Sequence, residues 1–324
     1  MRQGWAALLA ACIACGGRTE LDGANDAGLV SDGGGIVDSA PSCDPSARFG
    51  QPTPLDAINT PFEEFDFRLT PDELTAYFSS DRPFDAGPNA SPLRIYVAKR
   101  ASMADPFGGV EMNFGLTEPN SGADSPNISA DEHLILYAFG CGPGALQQAT
   151  LWLCQSTRKD TTSAFSIGTQ VFVKNNPLIT GAPYMLPDGL AIYFPAAGLP
   201  GRGIAVSRRT NLDPSFGPAT KVTINGIIED ATHVSSASVV TPDERLLFFS
   251  WPDTDSSHYV EHIWQASRAS THDPFGSAAI VAELSSPFGE IPTWVSPDGC
   301  RLYFARYVSQ TNTDIFVASR PLKN

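Results

Sequence analysis

The sequence predicts an all-β fold, a five-bladed β-propeller with four antiparallel strands per blade, on three observations. Five segments of the chain repeat one hairpin pattern. No stretch from Ser46 onward has the three- and four-residue apolar spacing of an amphipathic helix. The 27 prolines and 28 glycines are spread along the 324 residues, which is typical of many short strands joined by turns.

The repeat unit is a β-hairpin. Each copy has a Pro-Asp turn, or once Ala130-Asp131, and an apolar pair follows six and seven residues after the Pro or Ala. Pro presets φ in such a turn and Asp hydrogen-bonds its own backbone, so strands must flank it. The copies are FDFRLTPDELTAYFSSDR from Phe65, SPNISADEHLILYAFG from Ser125, APYMLPDGLAIYFPAA from Ala182, ASVVTPDERLLFFSWP from Ala237 and IPTWVSPDGCRLYFAR from Ile291.

A third strand follows each hairpin and ends on an arginine. These arginines are Arg100, Arg158, Arg208, Arg268 and Arg320. Three copies then begin a fourth strand after an Asp-Pro turn with Phe and Gly, but the fifth copy stops at Asn324. The missing motif lies at the other end of the chain, in Asp44-Pro45 and Phe49-Gly50. This displacement predicts that an N-terminal strand completes the last blade and closes the ring.

The fifth copy resembles the WD-repeat-like propeller repeats of the TolB type. Their signature is a Ser-Pro-Asp-Gly turn, a Leu-Tyr-Phe strand and an Ile-Tyr-Val strand, and the segments 296–304 and 314–320 are similar to it. The resemblance covers Asp44 to Asn324. It implies a propeller of a family found mostly in bacterial envelopes and carries over no activity. TolB has an extra N-terminal domain that we expect to be absent here, so its partner contacts do not transfer.

The N-terminal residues predict export. Residues 1–15 read as a signal peptide, with Arg2 before a short apolar run that is too short to span a bilayer. Leu9-Ala10-Ala11-Cys12 resembles a bacterial lipobox, so Cys12, or alternatively Cys15, would carry a lipid anchor. An ordinary secretory signal is the other possibility. We therefore expect a membrane-anchored lipoprotein, periplasmic or at the cell surface, that touches the membrane only through its N-terminal lipid.

The remaining two segments are a linker and the propeller. Residues 16–42 are rich in Gly, Asp, Ser and Ala, contain no aromatic residue and predict a flexible linker. The propeller is expected over residues 43–324. Its cysteines are Cys43, Cys141, Cys154 and Cys300. Four cysteines allow three pairings, of which we favour Cys141 with Cys154 and Cys43 with Cys300.

Acidic residues precede the first strand of several copies, where propeller loops line the mouth of the central channel. Glu64, Asp66, Asp124 and Glu290 fall in adjacent columns of the repeat and predict an acidic cluster at one rim. Such a cluster could bind a cation, with calcium the candidate, or a basic group; solvated loop acids are the alternative. Cysteine and histidine spacing predicts no other metal site, and no further cofactor is expected.

The sequence favours a non-enzymatic binding or scaffold propeller of the cell envelope, with an envelope protein, peptide or glycan at the rim. We expect a monomer. The net charge of -14 argues against nucleic-acid binding. The alternative is a carbohydrate-active hydrolase that uses the rim acids. Against it, blades three and four offer no third acid in these columns. A third interpretation is a structural relic with no specific ligand.

Tyr184 and Trp294 share one column of the repeat. They either stack on a ligand or, as we favour, fill the core.

Overall fold

The computed structural model describes residues 43–83, 93–113, 115–116, 122–138, 153–175, 178–179, 181–199, 201–227, 235–252, 260–309 and 312–323. Contacts divide the chain into units 1–40 and 41–324, and every described residue belongs to the second unit. The predicted signal peptide with Cys12 and Cys15 and the predicted linker lie outside the described residues. Within the described part of the chain, no helix has the length and apolar character needed to cross a membrane.

The second unit is a five-bladed β-propeller, as predicted. Blade one contains β2 (Glu64–Leu69), β3 (Thr75–Ser80), β4 (Arg94–Lys99) and β5 (Gly108–Met112). Blade two contains β6 (Asp124–Ile128), β7 (Leu134–Ala138), β8 (Leu153–Thr157) and β9 (Thr169–Gln170). Blade three contains β12 (Tyr184–Met185), β13 (Ala191–Leu199), β14 (Gly201–Arg208) and β16 (Thr220–Lys221). Blade four contains β17 (Ser238–Val240), β18 (Leu246–Pro252), β19 (Glu261–Ser267) and β20 (Ala279–Ile280). Blade five contains β21 (Glu290–Val295), β22 (Arg301–Ser309), β23 (Asn312–Ser319) and, from the N-terminal side, β1 (Thr53–Pro54).

The first strands of the blades form the inner ring. Each of β2, β6, β12, β17 and β21 contacts the next, and β21 contacts β2, so the ring is closed. Four short elements of the described part of the chain lie outside this plan. They are β11 (Leu178–Ile179), which pairs with the far end of β13, the parallel pair β10 (Phe172–Val173) and β15 (Ser215–Phe216), and a 3-10 helix at Ala282–Leu284.

The second strand of every blade carries the apolar pair that follows the turn, and this pair forms the packing between blades. Both members are at most 2% exposed in all five copies. Because neighbouring residues of a strand point to opposite faces, one member packs on the preceding blade and the other on the following blade. The pairs are Tyr77-Phe78, Leu136-Tyr137, Tyr193-Phe194, Phe248-Phe249 and Tyr303-Phe304.

The third strand of each blade ends beside an arginine that stacks on a phenylalanine seven positions further along the repeat. The distances from guanidinium carbon to ring centroid lie between 4.2 and 4.5 Å. The pairs are Arg100–Phe107, Arg158–Phe165, Arg209–Phe216, Arg268–Phe275 and Arg320–Phe49. In blade three, β14 ends on Arg208 as predicted, and the stacking residue is the following Arg209, which has the seven-residue spacing to the phenylalanine.

The N-terminal strand closes blade five as predicted. In β1, Thr53 pairs with Val317 of β23, and the Gly50 amide donates to the Ser319 carbonyl at 2.8 Å. The predicted disulfide between Cys43 and Cys300 is present. Cys154 is also disulfide-bonded, but Cys141 lies outside the described residues, so their pairing stays a prediction.

Candidate functional site

One side chain from each inner strand fills the central channel. These side chains lie three residues before the Pro or Ala of each turn and are 0 to 5% exposed. They are Arg68, Asn127, Tyr184, Val239 and Trp294. The channel is closed at this level, because Arg68 of blade one reaches acceptors on three other blades. A ligand of the channel would therefore have to lie at its mouth.

Arg68 is the central residue of this plug. Its Nε donates to Asn127 Oδ1 at 3.2 Å, Nη2 donates to the Pro183 carbonyl at 3.1 Å, and Nη1 donates to the Thr293 carbonyl. Its guanidinium lies 5.4 Å from the centroid of the Tyr184 ring. Burial lowers the pKa of Arg68, and the nearby charges of Asp66 and Asp124 oppose that shift. The plug thus contains a buried cation whose hydrogen-bond donors are taken up mainly by uncharged groups.

A backbone bulge at the start of the inner strand shapes the mouth in blades one and two. The strand register shifts between Phe65 and Arg68 in β2, and between Asp124 and Asn127 in β6. Asp66 and Ser125 occupy the same repeat position inside these bulges, with φ of 49° and 51°. A positive φ is uncommon for residues other than glycine and costs about 1–3 kcal/mol. The bulges turn both side chains toward each other across the blade interface.

The bulges bring two of the four predicted rim acids together. Ser125 Oγ donates to Asp66 Oδ2 at 2.7 Å, and the Ser125 amide donates to Asp124 Oδ1, also at 2.7 Å. The Asp66 and Asp124 side chains are thus linked through Ser125 and line the same cavity. Burial, reinforced by the charge of Asp66, raises the pKa of Asp124 to about 7. The Asp124 carboxyl therefore keeps its proton to near neutral pH.

The other two predicted rim acids lie apart from this pair, in separate buried ion pairs. Glu64 is 0% exposed and accepts hydrogen bonds from Arg82 Nη2 at 2.9 Å and from Thr60 Oγ1 at 2.6 Å. Glu290 is also 0% exposed and lies 3.0 Å from His262 Nδ1 and 3.4 Å from Arg306 Nε. Burial raises the pKa of both glutamates, and their cationic neighbours oppose that shift. Their position and pairing indicate a structural role.

Two cavities lie at the mouth, and Asp66 lines both. The smaller has a volume of about 160 Å³ and the larger about 290 Å³. The smaller is lined by Asp66, Asp124, Ser125, Ala138, Leu153, Ile179, Gly181, Ala182 and Pro183. The larger is lined by Glu63, Phe65, Asp66, Ala182, Ser236, Ala237, Ile291, Thr293, Ala305, Tyr307 and Thr313. Neither lining includes Glu64 or Glu290.

Sequence reasoning missed several residues of the larger cavity. Tyr307 in β22 and Thr313 in β23 face each other across the strand pair; Tyr307 follows the last residue of the fifth hairpin copy, and Thr313 lies at the start of its third strand. Glu63 directly precedes Glu64, and burial raises its pKa. Within the described residues, no group of three or more His, Cys, Asp or Glu side chains is placed to hold a metal ion. Among the residues that the structure describes, the mouth thus offers carboxyl and hydroxyl groups as hydrogen-bond acceptors, and Asp124 carries a proton near neutral pH.

The chain matches no family model, and no curated protein matches it. Solved structures of the same fold include TolB from Acinetobacter baumannii, with 14% identity, 82% of this chain and 56% of that chain covered, and a TM-score of 0.49. The BT0996 RGII complex gives 10% identity, 86% and 93% coverage and a TM-score of 0.56. Zg3597, a family 117 glycoside hydrolase of the marine bacterium Zobellia galactanivorans, gives 13% identity, 84% and 90% coverage and a TM-score of 0.51. This chain spans just over half the length of the TolB chain, and these identities establish the fold alone.

Replacing Asp124 with asparagine is expected to stabilise the fold at high pH. Well below the ordinary aspartate pKa of 3.8, the Asp124 carboxyl is protonated in the folded and unfolded chains alike, so the variant gains nothing there and only a little at pH 4. Above pH 7 the unfolded chain ionises Asp124 freely, whereas the folded chain disfavours the charge, and each unit of pKa difference is equivalent to about 1.4 kcal/mol. Allowing for the partial exposure of Asp124, the gain at pH 8 is about 2–3 kcal/mol.

Urea unfolding at pH 4 and pH 8 measures this difference. Asp56→Asn, at an exposed aspartate, is the matched control and should give the same small change at both pH values. An Asp124→Asn variant whose gain does not grow between pH 4 and pH 8 would contradict the raised pKa.

Proposed function

We propose that this propeller is a binding module that holds a ligand or a segment of a partner in the channel mouth, above the Asp66–Asp124 pair. The observation that carries the proposal is the position of Asp66, between two cavities and over a channel that Arg68 closes. Ligand sites are typically concave, mostly apolar and equipped with a few converging polar groups. The mouth has this composition, since carboxyl and hydroxyl groups converge among Phe65, Ile291 and small residues.

The link between the two aspartates through Ser125 argues for binding over catalysis by this pair. Glycosidases hold their two carboxyl groups about 5 to 10 Å apart, on either side of the bond that they cleave. Asp66 and Asp124 both accept hydrogen bonds from Ser125, which places them on the same side of the smaller cavity rather than on either side of a bond to be cleaved. The pair therefore acts as one recognition element with two acceptor ends and one proton.

A carbohydrate-active hydrolase is the second candidate, and one observation favours it. Asp124 keeps its proton to about pH 7, as a general acid must. Glu63 lines the larger cavity together with Asp66 and would have to supply the second carboxylate. Glycoside hydrolases occur among the solved structures of this fold, but fold alone does not transfer an activity.

The proposal extends to the cell envelope. An exported chain anchored by a lipid on Cys12 or Cys15 would present the mouth to an envelope protein, peptide or glycan. The apolar run near the N-terminus supports export. The Cys43–Cys300 disulfide supports it too, because structural disulfides persist in oxidising compartments.

Blocking the mouth tests the binding function. Ala182 lines both cavities, so Ala182→Phe should fill the space and leave the carboxyl groups in place. Arrays of oligosaccharides and of short peptides should identify ligands of the wild-type protein. The affinity of these ligands for Ala182→Phe should be at least about tenfold lower than for the wild type. Ala104→Phe, at an exposed alanine in the turn before β5, is the matched control and should bind like the wild type.

Two results would count against this function. Array ligands that bind Ala182→Phe as well as the wild type would place binding outside the mouth. Release of 4-nitrophenol from aryl glycosides, lost in Asp124→Asn, would favour the hydrolase instead.

A further inference from the structure

The larger mouth cavity contains two buried hydroxyl groups without a hydrogen-bond partner. Thr293 Oγ1 on β21 and Thr313 Oγ1 on β23 both lack one, and the two residues are 0% and 5% exposed. Buried polar atoms are nearly always paired, and leaving one unpaired costs about 1–3 kcal/mol. Both threonines line the cavity that Asp66 lines. A guest in this cavity would complete their hydrogen bonding.

The charged groups that line this cavity are all carboxylates. Glu63 and Asp66 belong to its lining, and no lysine, arginine or histidine does. Arg68 lies nearby, but its donors go to Asn127 and to backbone carbonyls rather than to Asp66. The cavity therefore has more hydrogen-bond acceptors than donors, which favours a guest rich in donors.

The rest of the lining is apolar and the volume is small. Phe65, Ile291 and Ala305 contribute apolar surface, and Tyr307 contributes an aromatic ring. A volume of about 290 Å³ lies at the lower limit of small-molecule sites. A single side chain or a small amine matches this space.

We propose that the larger cavity binds a primary ammonium group carried on a short aliphatic stem, such as the lysine side chain of a partner peptide. An ammonium group has three donors and no acceptor, which suits the Asp66 carboxylate and the two threonine hydroxyls. The aliphatic stem suits the apolar wall, and the Tyr307 ring offers a cation–π contact. This inference rests on the proposed binding function and names its ligand class.

Binding of a cation should release a proton from the mouth. An ammonium beside Asp66 favours ionisation of the neighbouring Asp124 carboxyl, whose pKa lies near 7 in the free protein. Affinity should therefore rise about tenfold between pH 5.5 and pH 8. The charged and titratable groups that face this pair and the cavity are Arg68, Glu63, Glu261, Tyr184 and Tyr307.

The test compares three probes on the full chain by ligand-observed NMR and calorimetry. They are Nα-acetyl-lysine N-methylamide, its norleucine analogue, which lacks the ammonium, and methyl α-glucopyranoside as a neutral polyol. The lysine probe should bind and the norleucine probe should not. Thr293→Val and Thr313→Val, which remove only a hydroxyl, should each weaken lysine binding about tenfold, and Ala182→Phe should abolish it.

The remaining outcomes separate this inference from the proposed function. If the glucoside binds at the mouth and the lysine probe does not, the ligand class is wrong and the binding function stands. If the lysine probe binds with equal affinity to wild type and Ala182→Phe, the site is elsewhere and the inference fails. Both proposals fail if none of the three probes binds and if no array ligand loses affinity in Ala182→Phe.

Discussion

A chain in which Cys43 and Cys300 are both serine is expected to lose about 4–5 kcal/mol of its free energy of unfolding. The disulfide joins residues 257 positions apart, so it constrains nearly the whole unfolded propeller. The chain-entropy model gives about 4.7 kcal/mol for a 100-residue loop, and measured effects extend to about 5 kcal/mol. Guanidinium unfolding of the oxidised wild type and the double-serine variant measures the difference.

A control for this prediction keeps the disulfide and weakens the neighbouring strand contacts. The Asn59 side chain donates to the Ile315 carbonyl at 3.0 Å and accepts from the Ile315 amide at 2.8 Å. Asn59→Ala should therefore cost only about 1–3 kcal/mol. A double-serine variant within 1 kcal/mol of the wild type would mean that strand pairing alone closes the ring.

The closure of the ring was predictable because its signal is a displaced copy of a repeat. In the other copies, the third-strand arginine is followed by a phenylalanine seven residues later, but the chain ends soon after Arg320. The Asp-Pro turn with Phe49-Gly50 supplies that missing motif, and the structure places the Arg320 guanidinium carbon 4.2 Å from the Phe49 ring centroid. The amide of Gly50 bonds Ser319 just as the amide of Gly276 bonds Ser267 in blade four. Because the same residue types recur at the same spacing in each blade, the spacing alone identifies these contacts.

The candidate site was predictable only in part, because its geometry depends on departures from the repeat. The residue pattern marks Asp66 and Asp124 as rim acids, but it contains no signal for the bulges that bring their carboxyl groups together. It also places Glu64 in the same cluster. Its partner Arg82 lies just beyond β3, in a column that the other four copies of the repeat do not reach, so the ion pair that holds Glu64 away from the site was not foreseen.

The interfaces between blades are of two kinds, and the sequence distinguishes them. Three turns carry a glutamate with φ near 60°, and each accepts a hydrogen bond from a tyrosine of the preceding blade. The other two turns carry glycine at that position, and the preceding blade there has Leu136 or Phe248, which have no hydroxyl. The tyrosine–glutamate pairs are Tyr77–Glu132, Tyr193–Glu244 and Tyr303–Glu73.

Glu73→Gln is expected to destabilise the fold by about 2–4 kcal/mol, because it removes the charge of a buried glutamate that pairs with the half-buried Arg301 at the interface between blades five and one. Glu73 is 2% exposed, accepts from Tyr303 Oη at 2.9 Å and holds Arg301 through both carboxylate oxygens. A glutamine amide replaces one carboxylate oxygen with an NH2 group and removes the negative charge, so Arg301 keeps only the more distant Asp298 carboxylate, 4.0 Å away, as an ionic partner. Chemical unfolding measures the loss, and Glu111→Gln, at an exposed glutamate of β5, should change stability by less than about 0.5 kcal/mol.

The natural glycine interfaces supply the sharper control for this contact. Glu73→Gly with Tyr303→Phe recreates the pairing of Gly299 with Phe248, and glycine tolerates the φ of 61° at position 73. The double variant should therefore be more stable than the sum of the two single losses predicts, by about 1–3 kcal/mol, since neither partner is left buried alone. If the loss of stability in the double variant equals the sum of the two single losses, Tyr303 and Glu73 stabilise the interface independently. The glycine interfaces would then not be equivalent replacements for the tyrosine–glutamate interfaces.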